Sequence, residues 1–186
     1  ERARGITIFS KQALLETEHR AVTLVDTPGH VDFSAEAERI MPVLDCAVLV
    51  ISGTDGVQAH TLTLWRLLER YQVPAFLFLN KMDLPGMGKE KLLAELRQQL
   101  SPACADFTAS PEEIAENAAM CDEALLENYL ETGGVTEGNL RALIAGRKLF
   151  PCCFGSALKL EGVGTLLDIL DKYAPETAYP GEFAAK

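Results

Sequence analysis

The chain has 186 residues, 48% of them apolar and 24% charged, with a formal net charge of −10. This is enough apolar material for one domain with a real core. The acidic balance argues against independent nucleic-acid binding, and no apolar run approaches the ~20 residues of a membrane-spanning helix, so no membrane partner is expected.

The opening stretch, "ERARGITIF", has no apolar signal-type segment and no initiator Met, which suggests a fragment or a processed chain. "TIFSKQALLE" (Thr7 to Glu16) reads as a strand toward a sheet edge, and "RAVTLVD" (Arg20 to Asp26) as a short β-rich run. Ser34 can cap a helix running toward Leu44, which Pro42 should end or kink. "CAVLVIS" (Cys46 to Ser52) and "AFLFLN" (Ala75 to Asn80) are continuous apolar runs of the kind buried on both faces of a parallel sheet. Between them, helical spacing puts Leu64, Leu67, Leu68 and Tyr71 on one face; after them, Leu92, Leu93, Leu96 and Leu100 do the same.

The span from Ser101 to Lys148 carries helix signals and no convincing strand. It reads as a helical insertion, opened by a capping box at Ser110-Pro111-Glu112-Glu113, broken at "ETGGV" and resumed through Leu140 to Ile144. "PCCFGSA" (Pro151 to Ala157) is a further strand, "VGTLLDILDKY" a further helix, and "APETAYPGEFAAK" a linker. Strands alternating with helices predict an α/β fold with a mostly parallel sheet flanked by helices. The divisions are one domain over 1–174, its insertion over 101–148, and a linker over 175–186. The five cysteines are odd in number and include no CxxC pair, which predicts free thiols in a reducing cytoplasm rather than a zinc site.

Four short stretches bear chemistry. Asp26 ends a strand beside a turn, where a carboxylate can hold Mg²⁺, usually through water. Gly29 lets a backbone N–H approach a terminal phosphate. The residues alone leave "DTPG" equally readable as a plain turn. "NKMD" (Asn80 to Asp83) follows an apolar strand. A carboxylate there can accept two hydrogen bonds from the N1–H and exocyclic amine of guanine, a donor pair adenine lacks. Lys81 can lie along the base, and Asn80 can tie neighbouring loops together. "GSA" (Gly155 to Ala157) offers backbone N–H groups to a carbonyl such as guanine O6, and Thr7 in "RGITI" offers a hydroxyl to Mg²⁺. Each of these last two is weak alone; the order and spacing of all four give them weight.

In that order, "RGITI", "DTPGHVDF", "NKMD" and "GSA" resemble the successive motifs of the GTP-binding domain of a translational GTPase, from Glu1 to about Tyr173. The resemblance implies a P-loop-NTPase-like fold that uses GTP, GDP and Mg²⁺, with the ribosome as partner. It implies that Thr7 and Asp26 serve Mg²⁺ and that Gly29 senses the γ-phosphate. Asn80, Lys81 and Asp83 would select guanine, with Ser156 and Ala157 supporting the base. His30 would orient the attacking water, with Ile6 in the apolar gate beside it. The insertion before "GSA" is similar to that of elongation factor G. The stretch "VLDCAVLVISGTDGVQAHTLTLW", and Leu84 after "NKMD", look more like the tetracycline ribosomal-protection proteins. A housekeeping elongation factor G that drives translocation, or a non-catalytic interaction module, is the alternative.

One departure qualifies the resemblance. The family's GxxxxGK[ST] phosphate loop has no match here; "GMGKEK" (Gly86 to Lys91) has the wrong spacing. The expectation is therefore a piece of a longer protein, lacking the first central strand and the phosphate loop. Such a piece should bind GTP poorly and barely hydrolyse it.

Overall fold

The computed structural model describes residues 11–27 and 34–175. Its centre is a parallel sheet of four strands. These are β3 (Ala47–Ser52), β4 (Ala75–Asn80), β5 (Cys104–Asp106) and β6 (Phe150–Phe154), in spatial order β3-β4-β6-β5. β4 is the hub. It pairs parallel with β3 from Ala47↔Ala75 to Ser52↔Asn80, and with β6 from Leu77↔Cys152 to Leu79↔Phe154. Its residues Ala75 to Leu79 are all buried, as the continuous apolar run predicts for a strand covered on both faces.

The two-residue alternation of β4 sorts the core into two layers. Leu77 and Leu79 pack with Trp65 and Leu68 of α2 (Ala59–Arg70) and with Leu96 of α3 (Lys89–Gln99). Phe76 and Phe78 face the other way, onto Ala118, Leu125, Ile144 and Ile169. Those four side chains come from α4 (Pro111–Ala119), α5 (Glu123–Thr132), α6 (Glu137–Ala145) and α7 (Val163–Tyr173). On α2 the deepest positions are Trp65 and Leu68, while Leu64, Leu67 and Tyr71 pack around them half-buried. The buried stripe is thus rotated by one residue from the all-leucine face that spacing suggests. At the amino end of β6, Trp65 meets Phe150 edge-on, with ring centroids 4.7 Å apart. The Arg147 guanidinium lies 5.2 Å from both ring centres and donates to the Val73 carbonyl.

The span 101–148 differs from expectation in two ways. It contains a strand, β5, which pairs parallel with β6 and forms an edge of the sheet. Arg97 of α3 holds it, donating to the Cys104 carbonyl at 2.9 Å and to Asn117 of α4 at 2.9 Å. The insertion also holds three helices rather than two. The extra break falls after Ala119, where Asp122 caps α5 by accepting from the Leu125 N–H at 3.2 Å. At Ser110 half of the expected capping box forms: its hydroxyl accepts from the Glu113 N–H at 3.3 Å, with no return bond from Glu113. Helix α1 (Ser34–Ile40) gives way to a 3₁₀ turn, Met41–Val43, at Pro42 as expected. The capping role of the Ser34 side chain lies outside the described residues.

Strands β1 (Lys11–Glu16) and β2 (Ala21–Asp26) form their own antiparallel pair, registered from Lys11↔Asp26 to Glu16↔Ala21. Among the described residues neither pairs with a strand of the four-stranded sheet. The turn of this hairpin is instead tied to α7. The Thr17 hydroxyl donates to Asp171 Oδ1, His19 Nδ1 lies 2.8 Å from Asp171 Oδ2, and Arg20 Nε donates to the Asp171 carbonyl at 2.7 Å. The Thr17 bond first, then those from His19, hold the Asp171 carboxyl below its usual range.

All five cysteines are free thiols. Burial pushes Cys46 up to about 11, Cys153 up to about 12 and Cys152 well above the usual thiol value, so these are packing groups rather than nucleophiles. Among the described residues no cluster of His, Cys, Asp or Glu could hold a metal, and no helix is long and apolar enough to cross a membrane.

Candidate functional site

The carboxyl ends of β3, β4 and β6 open into three loops, and backbone bonds knit these together. The Gly53 N–H donates to the Asn80 carbonyl at 2.7 Å, the Gly155 N–H to the Leu79 carbonyl at 2.9 Å, and the Met82 N–H to the Gly155 carbonyl at 3.0 Å. Lys81 adopts a left-handed backbone (φ 65°), uncommon for a residue with a side chain, and this turns the chain sharply away from the sheet.

Asn80 is the central tie. Its Oδ1 accepts from the Lys81 N–H at 2.8 Å and from the Ala157 N–H at 2.9 Å. One side-chain oxygen therefore joins "NKMD" to "GSA" across the β4–β6 boundary. Ser156 is 1% exposed, and a hydrogen bond from its hydroxyl is the largest cause holding the Asp83 carboxyl below the usual carboxylate range. Lys159 adds an ion pair, with Nζ 3.3 Å from Asp83 Oδ2. Asp83 is thus held ionised, an acceptor at neutral pH. In the β3 loop, Asp55 accepts from Ser52 at 2.6 Å and Thr54 at 3.0 Å, which lower its carboxyl; the Lys81 charge adds a smaller pull in the same direction.

The loop after β6 is closed tightly. Ser156 and Glu161 exchange backbone bonds of 2.9 and 3.0 Å across an antiparallel bridge. Gly155 sits so close to that closure that an added Cβ would lie 2.2 Å from the Glu161 carbonyl oxygen and 3.0 Å from the Phe78 ring. Backbone oxygen cannot move aside as a side-chain tip can. Gly155→Ala is expected to cost about 2 kcal/mol of stability and to loosen Ser156 and Ala157. A lowered urea midpoint, with amide shifts concentrated at 155–162, would report both; an unchanged midpoint would contradict the close approach.

The structure therefore brings together Asn80, Lys81, Asp83, Ser156 and Ala157 of the sequence-derived set. Asp26 is at the end of β2, in the separate hairpin, so the expectation that it sits on the carboxyl edge of the parallel sheet is not met among the described residues. Thr7, Gly29 and His30, with Ile6, lie outside the described residues. Sequence reading missed Lys159: its only signal is a basic residue three places after Ser156, and its partner is remote along the chain.

The arrangement presents, at one sheet edge, an ionised carboxylate, a neighbouring lysine stem and backbone N–H groups near Ala157. Such a set can read a planar base carrying two adjacent donors. The chain matches the family model of the elongation factor Tu GTP binding domain over residues 1–176. It is similar to the mitochondrial elongation factor G of Drosophila virilis and of Drosophila grimshawi. Each is 32% identical over 232 residues, which covers 98% of this chain and 30% of the relative. The crystal structure of ttk003000868 from Thermus thermophilus is similar too, with a TM-score of 0.81 and 25% identity over 92% of this chain and 33% of that one. The chain thus spans about a third of the length of these relatives.

Proposed function

Because the chain belongs to the family of the elongation factor Tu GTP binding domain, we propose that it is the guanine-nucleotide-binding part of a ribosome-dependent GTPase acting in translation. The observation that carries the reading is the Asn80 oxygen shared between Lys81 and Ala157, which sets an ionised Asp83 beside Ser156. Asp83 would take the N1–H and amine of guanine, Lys81 would line the base, and Ala157 with Ser156 would support its carbonyl edge. Mg²⁺ keeps most of its coordination for water and phosphate. A single protein carboxylate such as Asp26, with the Thr7 hydroxyl, suits that donor set, and the ion would neutralise phosphate charge. Gly29 would sense the γ-phosphate and His30 would orient the attacking water.

Between the finer readings, relatives named elongation factor G favour a translocation-type factor. The ribosomal-protection reading has two supports in the sequence, the stretch "VLDCAVLVISGTDGVQAHTLTLW" and Leu84 directly after "NKMD". Depletion of the full-length product separates the two: loss of growth supports translocation, and loss of tetracycline tolerance supports protection.

With no GxxxxGK[ST] in these 186 residues, base contacts would carry most of this chain's affinity, and binding should be weak. The test is an amide-shift titration with GDP and ADP into the millimolar range. GDP should move Asn80, Asp83, Ser156 and Ala157, and ADP should not. An equal response to adenine would overturn guanine selection, and micromolar affinity with turnover would overturn the expected weakness.

A further inference from the structure

We propose that Lys159 is a positioning residue for base recognition, fixing the Asp83 carboxylate in the orientation that accepts two hydrogen bonds from guanine. The proposal rests on the reading of Asp83 given above and adds a residue that the "NKMD" and "GSA" motifs do not contain.

The argument is one of orientation. A carboxylate free to rotate presents both oxygens to guanine only part of the time. Asp83 is held by the Ser156 hydroxyl, by its own backbone N–H and by Lys159, whose Nζ lies 3.3 Å from Oδ2. The Asp83 side chain is 12% exposed, so water does little to take the place of a partner that is removed. Ser156 and Lys159 both belong to the segment closed by the Ser156–Glu161 bridge, and the Lys159 N–H is itself bonded to the Ser156 carbonyl at 3.1 Å. The carboxylate assigned to the base is therefore held by a closed turn. A carboxylate fixed in advance spares the ligand the cost of ordering it. Lys159 itself is half exposed, so its ion pair adds little to fold stability. Its contribution should appear in base discrimination instead.

Inosine diphosphate supplies the probe: hypoxanthine keeps the N1–H and carbonyl of guanine and lacks the exocyclic amine. The experiment compares GDP and IDP affinities for the chain and for its Lys159→Met, Lys159→Arg and Asp83→Asn variants, by amide-shift titration. It also follows the Asp83 carboxyl through pH by carbon NMR. Lys159→Met should lower the GDP-to-IDP preference about three- to tenfold, and Lys159→Arg should restore it. The Asp83 midpoint, held low in part by this cation, should rise in Lys159→Met. A role confined to folding would weaken both nucleotides alike and leave their ratio intact. An unchanged ratio, or an unmoved Asp83 midpoint, overturns the proposal; an unmoved midpoint does so even without measurable nucleotide binding. If Asp83→Asn leaves GDP affinity unchanged, the guanine reading of Asp83 fails first and this proposal with it. If Asp83→Asn weakens GDP while Lys159→Met changes nothing, the Lys159 proposal alone is lost.

Discussion

Replacing Asp83 by alanine is expected to cost guanine nucleotides about a hundredfold or more in affinity, while the fold survives. The fold should survive because the side chain lies at the site edge and outside both core layers. The affinity loss follows from geometry. Asp83 is held ionised by Ser156 and Lys159, and on the proposed reading its two oxygens are the acceptors for guanine's two adjacent N–H groups. A base that leaves water and finds no acceptor pays the desolvation of both donors. Asp83→Asn is the sharper variant. Its amide exchanges one acceptor for a donor, so it should favour xanthine, which carries a carbonyl where guanine carries its amine. Competition among GDP, XDP and ADP in a full-length protein would read the switch. Unaltered preference for GDP in Asp83→Asn would remove Asp83 from base selection.

The second large effect concerns His30. His30→Ala in the full-length protein should leave GTP affinity within about twofold and cut ribosome-stimulated hydrolysis about a hundredfold or more. The reason is a division of labour. On the proposed reading, base and phosphate contacts would come from backbone groups and from side chains such as Asp83, none of which the substitution alters. A positioned imidazole acts on the attacking water, which matters only in the transition state. Losing a residue that binds the ground state would raise KM; losing one that handles water would lower kcat. Single-turnover hydrolysis with and without ribosomes separates these, and equal rates in wild type and His30→Ala would refute the role.

The parts legible in the sequence share a physical property: their signal is local. β3, β4 and β6 announce themselves through continuous apolar runs because both sheet faces are covered there. The base-site loops are legible because "NKMD" and "GSA" impose backbone shapes on their own few residues, and Asn80 then joins them as expected. β5 escaped because three residues show no periodicity; pairing with β6 and the Arg97 contact make it a strand. The break between α4 and α5 carries no Gly or Pro and depends on the Asp122 cap. Lys159 acts on a residue far away in sequence, and the separation of the β1–β2 hairpin from the parallel sheet is set by pairing partners. Neither can be read from a window of neighbouring residues.

The edge-on contact between Trp65 and Phe150 has a spectroscopic consequence. Trp65 is the single tryptophan of the chain, is 7% exposed and lies under the Arg147 guanidinium. It sits at the amino end of β6, whereas Ser156 and Ala157 follow the carboxyl end. Its intrinsic emission is therefore a reporter of whether the layer of α2 and α3 remains closed on the sheet. Nucleotide at the far edge should leave that emission unchanged, and denaturant should shift it to the red. A single optical signal thus separates loss of ligand from loss of structure.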